Sequence, residues 1–232
     1  MARQLTFDLA LDPALGRDDF LVTPANALAL AVLDAPATWP QGRMLLTGPE
    51  GSGKTHLAAI WACDMGAASV PARALRLDTV DQLAREGGAL VIEDADRAAG
   101  HPGCEQALFH LWNLSAERNF LLLLTAKHAP GRWGVQLPDL VSRMGAVAMT
   151  RIEPPDEALL AAVLVKLLAD RQLGAPPGLI EWLVPRMDRD LGLARRLIAA
   201  LDARSMAERR GLTRPLVTEL LESLTGAGVV PQ

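Results

Sequence analysis

The run Gly48-Pro49-Glu50-Gly51-Ser52-Gly53-Lys54-Thr55 limits what this chain can fold into more than any other feature. It fits the pattern G-x-x-x-x-G-K-[ST]. Ahead of it, RMLLTG (43–48) is a short apolar run that stops at glycine, as a buried strand does. Behind it, THLAAIWACDM repeats at helical spacing through Leu57, Ile60 and Trp61. In such a strand–loop–helix unit the glycines let backbone N–H groups wrap a phosphate. The helix opening at Lys54 points its positive dipole end at the same anion. Lys54 is expected to reach the β- and γ-phosphates, and the Thr55 hydroxyl is expected to be a magnesium ligand. The chain has only three lysines, at 54, 127 and 166, so a lysine inside this motif is not filler.

Further apolar runs extend the pattern. ALVIED (89–94), FLLLLT (120–125) and AVAMT (146–150) read as strands, with a weaker one near Arg73–Leu77. Between them, residues 104–118 place Leu108, Leu111 and Trp112 on one helix face. Thr23 and Pro24 read as the start of a helix running through ANALALAVLD, which Pro36 and Pro40 end. Apolar strands alternating with helices predict an α/β domain with a parallel sheet covered on both faces. At Glu153-Pro154-Pro155 the pattern changes to helices alone. Asp156 caps one to about Arg171, Pro176-Pro177 opens another to about Met187, Asp190 begins a third to about Arg209, and Thr213 caps a last one through Leu224. The expected organisation is an arm over 1–19, an α/β domain over 20–152 and a small all-α domain over 153–232.

Composition excludes several classes. Half of the 232 residues are apolar and 22% are charged, which suits a globular chain. Cys63 and Cys104 share no motif, as expected of a reducing, cytoplasmic compartment. No stretch is apolar enough for a membrane span, and the first twenty residues carry acids and a proline where a signal peptide needs an apolar run. The net charge of −4 argues against a chain that coats nucleic acid by itself. Residues 186–214 nevertheless hold eight arginines against Asp188, Asp190, Asp202 and Glu208, a local balance of +4. That stretch reads as a solvated helix face, with an accessory DNA contact left open.

A phosphate loop that supports hydrolysis needs acids at the end of a neighbouring strand. Glu93 stands in the metal position, where aspartate is commoner, and Asp94 in the position of the base. The longer glutamate arm shifts magnesium from an ideal octahedral place, so slow turnover is expected. Thr125, ending the third apolar run, is a candidate γ-phosphate sensor, and Lys127 is its rival. Arg143, in LPDLVSR before the last strand run, lies where an arginine at the sheet's rim can reach a neighbour's phosphates. His56 lies in the phosphate helix, and His101, His110 and His128 show no metal-ligand spacing.

Taken in order, these segments resemble the AAA+ family, and within it the DnaA group, from Phe20 to Leu224. FLVTPAN (20–26) is similar to the family's N-terminal box, so the resemblance assigns Phe20, Leu21 and Asn26 to the adenine. GPEGSGKTHL, LVIED and LPDLVSR follow in the family's order, and Arg143 matches its arginine finger. The helical tail is similar to the family's lid, including TRPLVTELLESL. The family's sensing arginine falls near Gly192 here, with Arg195 and Arg196 one turn further on as substitutes. Gln4, Leu5, Phe7 and Leu9 of QLTFDL resemble a sliding-clamp-binding peptide.

The resemblance implies a regulator of replication initiation that binds ADP or ATP with Mg²⁺ and has weak hydrolysis of its own. It would dock on the sliding clamp through residues 4–9 and offer Arg143 to ATP held by a DnaA-type initiator. Self-association is left open. The alternatives are a helicase-loader-like AAA+ protein, for which the short arm leaves little room, and a self-sufficient P-loop ATPase or kinase, for which no substrate-binding insertion is visible.

Overall fold

The computed structural model describes residues 16–84, 88–208 and 210–226. Among them, five strands form one all-parallel sheet: β1 (Arg43–Thr47), β2 (Ala68–Pro71), β3 (Ala89–Glu93), β4 (Leu121–Ala126) and β5 (Met149–Arg151). Their spatial order is β2-β3-β4-β1-β5. The strand that follows β3 in sequence is thus inserted between β3 and the strand leading into the phosphate loop.

Alternation along the strands builds two faces. Leu45, Leu90, Ile92, Leu122 and Leu124 pack with Leu108, Leu111 and Trp112 of α4 (Pro102–Glu117) and Leu140 and Met144 of α5 (Pro138–Gly145). Leu46, Val91 and Leu123 pack on the other side with Ala29 and Leu33 of α1 (Ala27–Leu33) and Leu57, Ala58 and Trp61 of α2 (Lys54–Met65). A sheet with both sides buried has to be apolar at nearly every position, and β1 is buried at all five.

A third apolar cluster is made by helices alone: α6 (Glu157–Asp170), α7 (Leu179–Leu183), α8 (Leu191–Glu208) and α9 (Arg214–Gly226) surround Leu160, Leu164, Leu197, Leu201 and Val217. The starts of α6, α8 and α9 follow side-chain capping chemistry, while α7 follows a left-handed Gly178 with no side-chain cap. Asp156 accepts from Leu159 N (2.7 Å), Asp190 from Leu193 N (2.9 Å) and Thr213 from Leu216 N (3.4 Å).

Three elements differ from the sequence expectation. The edge strand is Ala68–Pro71, and Arg73–Leu77 forms a 3-10 turn and loop instead. Ala72 and Leu75 are the buried residues there, and their spacing of three suits a turn and not a strand. Pro71 can end β2 because an edge strand leaves one side unpaired. The first helix begins at Ala27, since Thr23 and Pro24 form a turn in which Thr23 N donates to Asn26 Oδ1 (2.9 Å). The last strand begins at Met149, because α5 runs to Gly145 and residues 146–148 turn the chain back to the sheet.

Among the described residues, no helix is long and apolar enough to cross a membrane.

Candidate functional site

Parallel strands bring the loops at their C-terminal ends together, and these loops open onto a cavity of about 680 Å³ that the helical domain roofs. Residues 50–55 form its floor, between β1 and α2. Gly51 has φ +71° and Gly53 φ +100°, conformations that L side chains resist. All three lysines of the chain line this one cavity.

The Lys54 ammonium is folded back over the loop, donating to Gly48 O (2.8 Å) and Pro49 O (2.7 Å). Burial lowers its pKa from the ordinary lysine value, and the carboxylates of Asp94, Asp96 and Glu50 oppose that shift. Ser52 Oγ is buried without a hydrogen-bond partner among the described residues. A buried hydroxyl with no acceptor, a cation satisfied only by carbonyls and a helix N-terminus all face the same space. Together they fit the oxygens of a phosphate chain. The exposed Thr55 hydroxyl also lines the cavity.

Of the two acids expected after the strand run, the cavity receives one. Asp94 lines it from a left-handed position (φ 51°), with its N–H donating to Thr125 Oγ1 (3.0 Å). Glu93 is turned to the neighbouring edge strand, where Ser69 Oγ donates to Glu93 Oε1 (2.7 Å), and it lies outside the lining. Asp96, which sequence reasoning missed, takes a place beside Asp94. Its Oδ2 accepts from Lys127 N (3.1 Å). The signal was present as the acidic run Glu93-Asp94-Ala95-Asp96, but only the 3-10 turn after β3 brings its third member into the cavity. Among the described residues no three His, Cys, Asp or Glu converge into a metal-holding group.

The two sensor candidates separate in the same way. Thr125 is fully buried and its hydroxyl fastens the Asp94 backbone. The Lys127 ammonium reaches the cavity rim, 3.5 Å from Glu50 Oε2.

Phe20 and Leu21 line the cavity together with Leu159, Val163 and Leu167 of α6, beside the charged Asp19, Lys166, Asp170 and Arg171. Asn26 is buried there, but both ends of its amide are used to shape residues 21–23. Nδ2 donates to Leu21 O (2.9 Å) and Oδ1 accepts from Thr23 N. Lys166 Nζ bridges Asp19 (2.7 Å) and Asp170 (3.3 Å), tying the segment before α1 to the roof. Its hydrogen bond lowers the Asp19 pKa below the ordinary carboxylate value.

The roof touches the floor directly. Leu191 N donates to Gly51 O (2.9 Å), and Gly192 lines the cavity. Of the two arginines proposed for the sensor, Arg195 enters the site and Arg196 does not. Arg195 lines the cavity and donates from Nη2 to His56 Nδ1 (3.1 Å), and burial lowers its pKa. Arg196 stays at the surface, 3.9 Å from Asp190.

Arg143 lies elsewhere, in the last turn of α5. Its guanidinium is exposed and has no hydrogen bond or ion pair among the described residues. Arg43, buried beneath it, donates to Ser115 Oγ (2.8 Å) and Trp112 O (3.0 Å) and stacks 4.3 Å from the Trp112 ring centre. Burial and then the Arg143 charge lower the Arg43 pKa. Several arginines of the basic stretch are internally paired: Arg189 with Glu157, Arg204 with Glu208 and Glu219, and Arg214 and Arg186 over Trp182. Gln4, Leu5, Phe7 and Leu9 lie outside the described residues.

Comparison with known proteins agrees with this architecture. Residues 156–221 match the family model described as "Hda, lid domain". Domain III of the replication initiation protein DnaA from Thermotoga maritima superposes with a TM-score of 0.77 at 20% identity, covering 91% of this chain and 97% of that one. AMPPCP-bound DnaA from Aquifex aeolicus gives 0.69 at 19% identity, over 90% of this chain and 70% of that one. A Thermotoga maritima RuvB variant gives 0.64 at 18% identity, over 89% and 71%. With a phosphate loop on a five-stranded parallel sheet, the chain has the fold of DnaA domain III, and its helical roof over residues 156–221 matches the Hda lid model.

Proposed function

We propose that this protein is an adenine-nucleotide-binding regulator of replication initiation that stimulates hydrolysis of ATP held by a DnaA-type initiator. The observation that carries the reading is the combination of an Hda-type lid with an exposed, unpaired Arg143 at the edge of a DnaA-like module. A structural relative carries AMPPCP, which supports an adenine nucleotide as the ligand here. ADP or ATP would lie with its base between Phe20, Leu21 and the apolar face of α6. Its phosphates would lie over residues 50–55, where Lys54 and Arg195 supply positive charge. Thr55 with Asp94 or Asp96 would hold Mg²⁺, which when bound neutralises phosphate charge.

Glu93, engaged by Ser69, is removed from that work, which supports slow turnover in this chain's own site and a role for bound nucleotide as a conformational switch. The catalytic contribution is then made in trans. Arg143 would meet negative charge building on the γ-phosphate of the partner's ATP, where a fixed cation acts mainly on the transition state. Docking on a DNA-loaded sliding clamp through residues 4–9 would bring the two proteins together. A DnaA relative is bound to single-stranded DNA, but the internal pairing of the lid arginines leaves DNA an accessory contact at most.

The test is phosphate release from ATP-loaded DnaA in the presence of clamp, DNA and this protein. Arg143→Ala should keep nucleotide and clamp binding and lose the stimulation. Full stimulation by the variant would sink the mechanism.

A further inference from the structure

His56 follows the phosphate-loop threonine and is buried where three separate segments meet. Nδ1 lies 3.1 Å from Arg195 Nη2 of the lid helix α8. Nε2 lies 3.3 Å from Gly16 O, in the segment before α1. The ring meets Phe20 edge to face at 5.3 Å. A guanidinium has only donors, so Nδ1 must accept, and the ring proton must sit on Nε2, where it donates to Gly16. The imidazole is therefore neutral, with one defined tautomer and both nitrogens used.

Arg195 has no carboxylate partner among the described residues. Its contact with His56 fixes one of its donors and leaves the remaining face toward the cavity. A guanidinium held this way is preorganised for an anion. A freely rotating one would lose that alignment and the entropy of finding it again.

We propose that His56 is a positioning residue that couples nucleotide binding to the N-terminal segment: its Nδ1 aims Arg195 at the nucleotide, and its Nε2–H holds Gly16. The proposal rests on the nucleotide-binding reading and adds to it a physical link between lid, phosphate helix and residues 16–20. Filling the cavity closes the lid, fixes Arg195 and thereby the ring, and so tightens the Gly16 contact. The segment that bears Phe20 then responds to occupancy of the site.

Two amides separate the two ends of the ring. Asparagine places an acceptor near Nδ1 but lacks the reach to Gly16. Glutamine reaches the Nε2 position with a donor but leaves Arg195 without its partner. The experiment is ADP titration by calorimetry on the full chain, with hydrogen exchange of residues 16–20 measured with and without ADP. In the unaltered protein ADP should slow exchange in that segment. His56→Asn should bind ADP within about twofold of the original and lose that slowing. His56→Gln should keep the segment protected and bind about fivefold more weakly, the scale of one ordinary net hydrogen bond. In an Arg195→Ala background, His56→Gln should cause no further loss.

If both variants behave like the original while ADP still binds, the coupling is refuted and the nucleotide reading stands. If the two amides cause equal losses together with a lower melting temperature, the ring is packing material and the proposal fails. If the unaltered protein binds no adenine nucleotide, both readings fall.

Discussion

Replacing Gly51 by alanine tests the contact between roof and floor. At φ +71° an alanine is strained by about 1 kcal/mol relative to glycine. Its Cβ would stand 1.9 Å from Asp190 Oδ1, 2.3 Å from Cγ and 2.8 Å from Cα. A side-chain rotation relieves the first two contacts. The third involves backbone and forces the start of α8 away. That movement breaks the Leu191 N to Gly51 O hydrogen bond, worth about 1 kcal/mol. It also disturbs Asp190 as the cap of α8, worth up to about 1 kcal/mol more. The sum of about 2–3 kcal/mol corresponds to a fall of about 5–10 °C in melting temperature for a chain of this size. The lid cluster is self-contained, so the variant should still fold. Because Arg195 and Gly192 sit on the displaced helix, ADP affinity should fall at least about tenfold, or 1.4 kcal/mol. Adding Asp190→Ala removes two of the three close atoms, so the double variant should lose less than the sum of the single losses. Calorimetry reads both melting and binding. A Gly51→Ala protein with unchanged melting and unchanged ADP affinity would show that the lid does not seat on the loop.

Other outcomes follow from the same geometry. Lys54→Ala removes the buried cation over the loop, so adenine-nucleotide affinity should drop at least about tenfold by calorimetry; unchanged affinity would move the binding site elsewhere. Replacing Gln4, Leu5 and Phe7 together with alanine should abolish clamp capture and leave melting nearly unchanged, whereas an unfolded variant would assign the arm to the core. The Asp19 carboxyl has its pKa lowered by Lys166, so this tie contributes above the ordinary carboxylate range and is lost as pH falls through the lowered value. Melting of a Lys166→Met variant should accordingly depend less on pH below about 4 than that of the original, and an identical pH profile would show that the tie contributes nothing.

What could be read from the sequence is what local chemistry dictates. The phosphate loop, the caps Asp156 and Asp190 and the buried strands β1, β3 and β4 declare themselves within a few residues of chain. β2 did not, because a four-residue edge strand has too little pattern and its neighbour Ala72–Leu75 carries the buried residues. The inward turn of Asp96 depends on a left-handed Asp94, whose backbone is fastened by Thr125 from another strand. The choice between Arg195 and Arg196 rests on a histidine 139 positions away, and that between Thr125 and Lys127 on which end of the residue faces the cavity. Such facts belong to the docking of one unit on another, which periodicity does not encode.

The strand order has a kinetic consequence. β1 has no neighbour close in sequence: its partners are β4, in register Arg43↔Leu122, and β5, in register Leu45↔Met149. A ribosome adding about 5–20 residues per second takes several seconds to supply the first of them. Throughout that interval Leu45 and Leu46 are an unpaired apolar strand, the kind of segment that invites association with other nascent chains. Nucleotide cannot rescue it early, since the floor of its cavity hangs from a strand that is not yet held. Pairings this distant raise contact order and slow folding. The molecule should therefore gain its ability to hold ADP in one late step, after β4 has threaded between β3 and β1, and a refolding assay followed by ADP binding should lag behind one followed by helix content.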